Sequence, residues 1–309
     1  MKKIFTLLCA LVVLTACNRQ SAQPDNLMMV SIEPLKYIVE GIVGDDFEVA
    51  TIVPAGASPE TYEPTPAQME QLEAAQMVFA VGLIGFEQNT IERMTQSADV
   101  QYVNLSEGVV PSVCEHHAEC QMVDKECVEA EKFHGEQCPH HAHSHTHSHA
   151  HGDRNPHLWT SPRMLRQMAT TAYQHISRVW PDSTHYQVNY DALMTRFDSL
   201  DASVSRRLSE APSRAFVIYH PTFGYLAAEH GLIEIAVETH GKEPSADHLR
   251  RVVDAARKLG AQKVFYQREF PRSVVEAVAA ELGVEPIEVD ILSGDVEAMI
   301  YGFADKLAR

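Results

Sequence analysis

Basic residues are scarce in this sequence, and they form no cluster larger than an adjacent pair such as Arg250-Arg251. The chain has 25 lysines and arginines against 42 aspartates and glutamates, for a formal net charge of −17. Nucleic acids attract proteins through basic surfaces, so this charge balance argues against a nucleic-acid partner. The acidic balance is compatible with attracting cations, but composition alone identifies no site.

Two catalytic motifs are also absent. The sequence contains neither the His-Glu-x-x-His motif of zinc hydrolases nor the Gly-x-Ser-x-Gly motif of serine hydrolases. Among enzymes, the class to consider is a zinc hydrolase of the cell envelope. Such enzymes keep an open metal coordination position beside a general base. Without these motifs, we expect the chain not to be an enzyme.

After the first residues, no apolar run is long enough to cross a bilayer. At the N-terminus, Lys2 and Lys3 precede an apolar run over 4–14, which is typical of a signal peptide. The run ends in Leu14-Thr15-Ala16-Cys17, which resembles a bacterial lipobox. We therefore predict removal of residues 1–16 and lipidation of Cys17, giving an envelope or periplasmic lipoprotein held by its anchor. The alternative is an ordinary signal peptide that happens to carry a cysteine.

The remaining cysteines are concentrated in one short segment. Of six cysteines, Cys9 lies in the signal peptide, Cys17 is the predicted anchor, and four lie within 114–138: Cys114, Cys120, Cys127 and Cys138. In an oxidising compartment, clustered cysteines favour disulfides, and four allow three pairings. Zinc ligation by some of these thiols is the alternative.

Short apolar runs alternate with helical patterns on both sides of the middle of the chain. Predicted strands lie at 28–32, 47–53, 77–82 and 102–105, and again at 215–219, 233–237, 263–266 and 286–291. This alternation is typical of βαβ units around parallel sheets. We predict an α/β fold of two lobes, each with a mainly parallel sheet flanked by helices. The predicted division is a signal peptide (1–16), a tether (17–27), an N-terminal lobe (28–180), a linking helix (181–211) and a C-terminal lobe (212–309).

The predicted linking helix has one apolar face. Seven side chains recur at steps of three and four: Tyr186, Tyr190, Leu193, Phe197, Leu200, Val204 and Leu208. No glycine or proline occurs over 183–211, so the helix can run unbroken for about 40 Å. We interpret it as a rigid backbone joining the lobes. The alternative is a helix packed on one lobe only.

Histidine is concentrated in the segment 107–155, which lies within the predicted N-terminal lobe. It holds ten of the seventeen histidines, including a run in which alternate residues are histidine: His141, His143, His145, His147, His149 and His151, preceded by His140. Without an apolar face, this run favours a solvated loop over a strand. Many imidazoles on a flexible loop bind zinc, copper or nickel with little selectivity, so the segment predicts an accessory metal loop. A chance low-complexity tract is the alternative.

Four other imidazole and carboxylate groups lie at the ends of predicted strands or in proline-bounded turns. His220 follows the strand 215–219, Asp290 ends another strand run, and Glu60 follows a third strand. His157 lies between Pro156 and Pro162. Open α/β sheets bind ligands beyond the carboxyl ends of their strands, so these groups are candidate metal ligands.

Five motifs together resemble the metal-receptor family of bacterial ABC-importer solute-binding proteins. They are Pro54-Ala-Gly-Ala-Ser-Pro-Glu-Thr-Tyr-Glu-Pro-Thr-Pro66, Asn155-Pro-His-Leu-Trp159, His220-Pro-Thr-Phe-Gly-Tyr225, Glu243-Pro-Ser245 and Val289-Asp-Ile-Leu292. The resemblance covers almost everything after residue 27, and the histidine-rich insertion is typical of the zinc branch. It implies two α/β lobes, a metal held in the cleft between them, and the ligands Glu60, His157, His220 and Asp290.

One position departs from the family pattern, which usually has histidine where this chain has Glu60. A carboxylate is a chemically harder ligand than an imidazole. A glutamate ligand therefore shifts the metal preference of the site toward manganese or ferrous iron. If Glu60 lies outside the site, His240 or a histidine of the long loop is the substitute ligand. His220 favours zinc, because the manganese branch tends to have a carboxylate there.

The resemblance therefore predicts a zinc receptor that delivers its metal to an ABC-importer permease and acts as a monomer. A manganese or ferrous-iron receptor is the alternative within the same family. A metal buffer or chaperone working through the histidine-rich loop is the alternative outside it.

Overall fold

The computed structural model describes residues 26–98, 100–109, 155–238, 244–270 and 272–309. The predicted lipidation site, the four clustered cysteines, the histidine-rich run and His240 lie outside these residues. Within them the chain forms two four-stranded parallel sheets flanked by helices. The predicted fold class is therefore confirmed, and the domain boundaries stay a prediction.

The first sheet is built from the N-terminal part of the chain. Its strands are β1 (Leu27–Val30), β2 (Glu48–Thr51), β3 (Met77–Ala80) and β4 (Gln101–Asn104), in the order β2-β1-β3-β4. The helices that accompany it are α1 (Glu33–Val43), α2 (Pro66–Ala74), α3 (Glu92–Ala98) and α4 (Pro162–Val179). Every residue of β1 and β3 is buried, as expected for central parallel strands covered on both faces.

The second sheet repeats this order as β6-β5-β7-β8. Its strands are β5 (Ala215–Ile218), β6 (Ile233–Ala236), β7 (Val264–Gln267) and β8 (Pro286–Val289). Its helices are α6 (Gly224–His230), α7 (Ala246–Leu259), α8 (Arg272–Leu282) and α9 (Val296–Ala308), while α5 (Thr184–Ser209) lies between the two halves of the chain. In each sheet every pair of neighbouring strands is parallel, so the carboxyl ends of all four strands lie at one edge.

The long helix α5 has 26 residues and runs for about 39 Å at 1.5 Å per residue. Six of the seven side chains in the predicted apolar stripe are buried, and Tyr190 is half-buried. The helix packs against α1 and α4 on one side of the chain and against α9 on the other. It therefore contacts both halves, rather than one lobe only.

Further contacts tie the two halves together. Tyr37 of α1 donates a hydrogen bond to Glu297 of α9, and the guanidinium of Arg196 on α5 lies 5.0 Å from the centre of the Tyr37 ring. The indole N–H of Trp159 donates to the carbonyl of Ile291 at 2.7 Å. None of the helices in the described part of the chain combines the length and the apolar character of a membrane span.

Replacing Phe303 with alanine is expected to lower the free energy of unfolding by about 3–5 kcal/mol. The Phe303 ring is buried, stacks on Phe223 with ring centres 3.8 Å apart, and contacts Phe216 and Phe265. Removing it leaves a cavity beneath α9. Chemical denaturation followed by circular dichroism measures the loss, and Tyr301→Ala is the matched control because Tyr301 is 43% exposed on the same helix. Equal losses in the two variants would contradict this packing.

Candidate metal centre

Three of the four predicted ligands converge where loops from the two halves of the chain meet. Glu60 lies in the loop between β2 and α2, His157 begins a short 3₁₀ turn (Leu158–Thr160), and His220 follows β5 by two residues. One ligand atom from each lies within 4.8 Å of the other two. Imidazoles and carboxylates are the ligand types that divalent transition metals take in proteins, so this cluster is a candidate metal site.

The loop that carries Glu60 is held at its far end by the start of α2. Thr65 and Gln68 form a capping box there, and the Gln68 amide also donates to the carbonyl of Ile52 at 2.5 Å. The hydroxyl of Tyr62 donates to the Gln68 side chain at 2.8 Å. Glu60 itself is 39% exposed, so its carboxylate lies at the solvent side of the three-residue cluster.

His157 is held as a neutral imidazole. Its backbone N–H donates to Asn155 Oδ1 at 2.9 Å, and its Nδ1 lies 2.8 Å from the same oxygen. Because that oxygen can only accept, Nδ1 carries the proton and Nε2 keeps its lone pair for a metal. Burial, together with the nearby charge of His220, holds the pKa of His157 well below its usual value. His157 is therefore in the ligating form at neutral pH.

His220 lies between two carboxylates. Its Nδ1 lies 2.6 Å from Glu238 Oε2, and its Nε2 lies 2.9 Å from Glu60 Oε1. Burial alone would lower the pKa of this imidazole, but the contacts with Glu238 and Glu60 outweigh burial and raise the pKa to about 9. Nε2 is buried and makes no well-aligned hydrogen bond, so a metal ion that displaces its proton can take this position. Glu238 fixes the ring orientation, as carboxylates behind metal-bound imidazoles do.

The backbone around His220 is held by buried polar side chains. Glu234 of β6 accepts from the backbone N–H groups of Thr222 and Phe223, at 3.1 and 2.8 Å. The Gln267 amide donates to the carbonyl of His220 at 2.8 Å. Sequence reasoning missed Glu234, Glu238 and Gln267. A signal existed for Glu234 and Gln267, because each places a polar side chain in an otherwise apolar strand run.

Asp290 is not part of the cluster of three. Its carboxylate accepts from the backbone N–H of Leu292 at 3.2 Å and lies 3.7 Å from the guanidinium of Arg268. Its side chain is 41% exposed. Another carboxylate, Glu269, lines the same cavity as the cluster, and burial raises its pKa. Glu269 was not among the ligands predicted from the sequence.

The cavity beside the cluster is small. Its volume is about 30 Å³, and its walls combine the polar groups with apolar side chains: Ile84, Trp159, Phe270, Ile291 and Leu292. A space of this size accommodates an ion or one water and is far smaller than the pockets that hold organic ligands. The Phe270 ring stacks on His220 with centres 5.2 Å apart, so the site is closed on that side by an apolar wall.

The sequence and the fold are similar to those of known proteins. A family model described as "Zinc-uptake complex component A periplasmic" matches residues 28–302. The zinc-binding lipoprotein AdcA of Streptococcus pneumoniae is 23% identical over 295 residues, which cover 92% of this chain and 54% of AdcA, so the chain spans about half the length of that relative. The high-affinity zinc uptake system protein ZnuA of Yersinia pestis is 27% identical over 288 residues, covering 89% of this chain and 87% of ZnuA. A crystal structure of ZnuA superposes with a TM-score of 0.75 at 29% identity, covering 92% of this chain and 98% of the other.

Proposed function

Because the chain belongs to the zinc-uptake complex component A family, we propose that it is a receptor that captures zinc and delivers it to an ABC-importer permease. The observation that carries the proposal is the cluster of Glu60, His157 and His220 around a cavity of about 30 Å³. A receptor needs a site that binds an ion without transforming it. The cluster supplies ligands, and its walls are closed by apolar side chains.

Zinc commonly takes four ligands in a tetrahedron. Glu60, His157 and His220 supply three, and Asp290 is proposed as the fourth. To ligate, Asp290 must exchange its contact with Arg268 for the metal. Glu269 already lines the cavity and is the described carboxylate that would serve instead. His240 stays the proposed substitute if Glu60 does not ligate.

The proposed ion is zinc, since two neutral imidazoles suit zinc better than manganese. The names of the relatives support this choice. The two carboxylates make the site harder than one built mainly from imidazole, which favours manganese or ferrous iron as the second candidate cargo. A competition between metals therefore belongs in the test.

The remaining parts of the proposal concern the lipid anchor, the histidine-rich loop and the oligomeric state. Lipidation of Cys17 would hold the receptor at the membrane surface, close to its permease, and the relative from Streptococcus pneumoniae is named a lipoprotein. The histidine-rich loop would raise the local concentration of zinc near the site. The receptor is proposed to act as a monomer and to catalyse no reaction.

Glu60→Ala is expected to weaken zinc binding roughly tenfold or more, because one of three converging ligands is lost. The measurement is competition titration of zinc and manganese on protein starting at residue 18, with bound metal counted by elemental analysis. Glu63→Ala is the matched control, since Glu63 is an exposed glutamate of the same loop. A third protein lacks residues 114–151.

One tight zinc equivalent that survives the loop deletion and weakens in Glu60→Ala alone supports the receptor with Glu60 as ligand. Unchanged zinc affinity in Glu60→Ala would show that Glu60 is not a ligand. The remaining candidates would then be His240 and a histidine of the histidine-rich loop. Preference for manganese would overturn the zinc assignment. Loss of all binding with the loop would leave a metal buffer.

A further inference from the structure

A second group of metal-ligating side chains lies away from the first, at the contact between α5 and α6. Asp201 belongs to α5, and Glu229 and His230 are the last two residues of α6. One ligand atom from each lies within 4.8 Å of the other two. These residues lie outside the five family motifs, and the proposed zinc delivery does not use them.

Two polar side-chain atoms in this group have no hydrogen-bond partner. His230 Nε2 and Asp201 Oδ1 are both buried and unpartnered, and they lie 3.9 Å apart, which is too long for a direct hydrogen bond. The side chain of His230 is only 7% exposed. Buried polar atoms in proteins nearly always have a partner, so this pair requires one that lies between them.

The groups around the gap between His230 Nε2 and Asp201 Oδ1 favour a bound cation. The Ser161 hydroxyl lies 2.8 Å from both oxygens of Glu229, which orients its carboxylate. Arg163 lies 3.7 Å from the other oxygen of Asp201, Oδ2, and Arg214 donates to the carbonyls of Leu208 and His230, so neither guanidinium is hydrogen-bonded to Asp201 Oδ1 or His230 Nε2. Burial raises the pKa of Glu229 to about 7 and lowers the pKa of His230. A cation bound here would instead stabilise the carboxylate form of Glu229 and use the neutral form of His230.

We propose that Asp201, Glu229 and His230 form a second binding site for a divalent first-row transition metal ion. Ligands of one tetrahedral ion, each about 2.1 Å from it, lie roughly 3.4 Å apart, so the observed spacing closes with small side-chain rotations. One imidazole and two carboxylates form a harder set than the first site. The ion joins the linking helix α5 to α6, the helix that directly follows the His220 loop.

The site predicts that His230→Gln and Asp201→Asn each remove one equivalent of bound zinc. The proteins are the complete chain from residue 18, equilibrated against zinc held at a fixed free concentration by a chelator, with bound metal counted by elemental analysis. The histidine-rich loop is identical in all variants, so its contribution cancels in the difference. Asp198→Asn is the matched control, because Asp198 lies one turn earlier on α5 and pairs with Arg166. Circular dichroism confirms that each variant is folded.

The same deficit is expected in a His220→Ala background, which separates this site from the first. Loss of one zinc equivalent in His230→Gln and in Asp201→Asn, but not in Asp198→Asn, supports the second site. This holds whether or not His220→Ala changes zinc binding at the first site. Equal zinc content in all four proteins overturns it. Crystals grown with zinc give an independent result: an anomalous peak at the zinc edge among the three side chains supports the site, and a water or a direct hydrogen bond there overturns it.

Discussion

His220→Ala is expected to weaken zinc binding roughly a hundredfold to a thousandfold. Structural zinc sites contribute about 10–16 kcal/mol from four ligands, so one ligand accounts for roughly 3 kcal/mol or more. His220 is the ligand with the strongest support, because its ring is buried, stacked on Phe270 and oriented by Glu238. The measurement is zinc titration in competition with a chelator of known affinity, which selects the tight site over the histidine-rich loop.

Two further variants show whether the loss is specific. His185→Ala is the matched control, since His185 is exposed on α5 and pairs with Asp46 far from the site. Glu238→Gln keeps the ligand but weakens the support behind it, and is expected to cost ten- to a hundredfold. If His220→Ala bound zinc as tightly as His185→Ala, the proposed site would be wrong.

Zinc affinity is expected to rise about tenfold for each pH unit between pH 7 and 9, and then to level off. The pKa of His220 in the metal-free protein is raised to about 9, so below that pH the metal must displace one proton from the ring. His157 contributes no such proton, because its pKa lies well below its usual value. Chelator competition from pH 6.5 to 10, corrected for the chelator's own protonation, measures the slope.

The same raised pKa acts on the stability of the metal-free protein. Because the pKa of His220 is higher when folded than its ordinary value of 6.5, its protonation stabilises the fold fully below about pH 6.5. That contribution is lost as pH rises through about 9. In Glu238→Gln both effects are expected to shrink, since one of the two carboxylates that raise the pKa is gone. Zinc affinity independent of pH over this range would show that His220 is neutral before zinc binds.

The architecture was predictable because it depends on features visible in local sequence. Apolar runs rich in valine, isoleucine, phenylalanine and methionine identified the strands, and the spacing from Tyr186 to Leu208 identified α5. The short helix α6 was missed, since its seven residues are too few to show a helical period against a glycine start and a glycine end.

The candidate site was predictable only in part. The rule that ligands lie beyond strand ends places Glu60 at an edge of the first sheet and His220 and Asp290 at an edge of the second, but it does not give side-chain direction. The structure turns Asp290 toward Arg268, and it brings in Glu238 from the segment after β6 through its hydrogen bond with His220. Such choices depend on tertiary neighbours, so local pattern does not contain them. The ligand assignments stay predictions.

The unbroken helix α5 has a kinetic consequence for any ion that enters the site. A rod of 26 residues without glycine or proline bends elastically but offers no joint, and it packs against α1 and α9 at once. Wide separation of the halves would therefore disrupt both contacts together. Entry for a single ion needs only a local opening, and the loop that carries Glu60 is the exposed part of the rim. The rate at which the ion exchanges would then be set by the opening of one loop. Loop opening is a fast local motion, whereas separation of the two halves is a slow movement of the whole molecule.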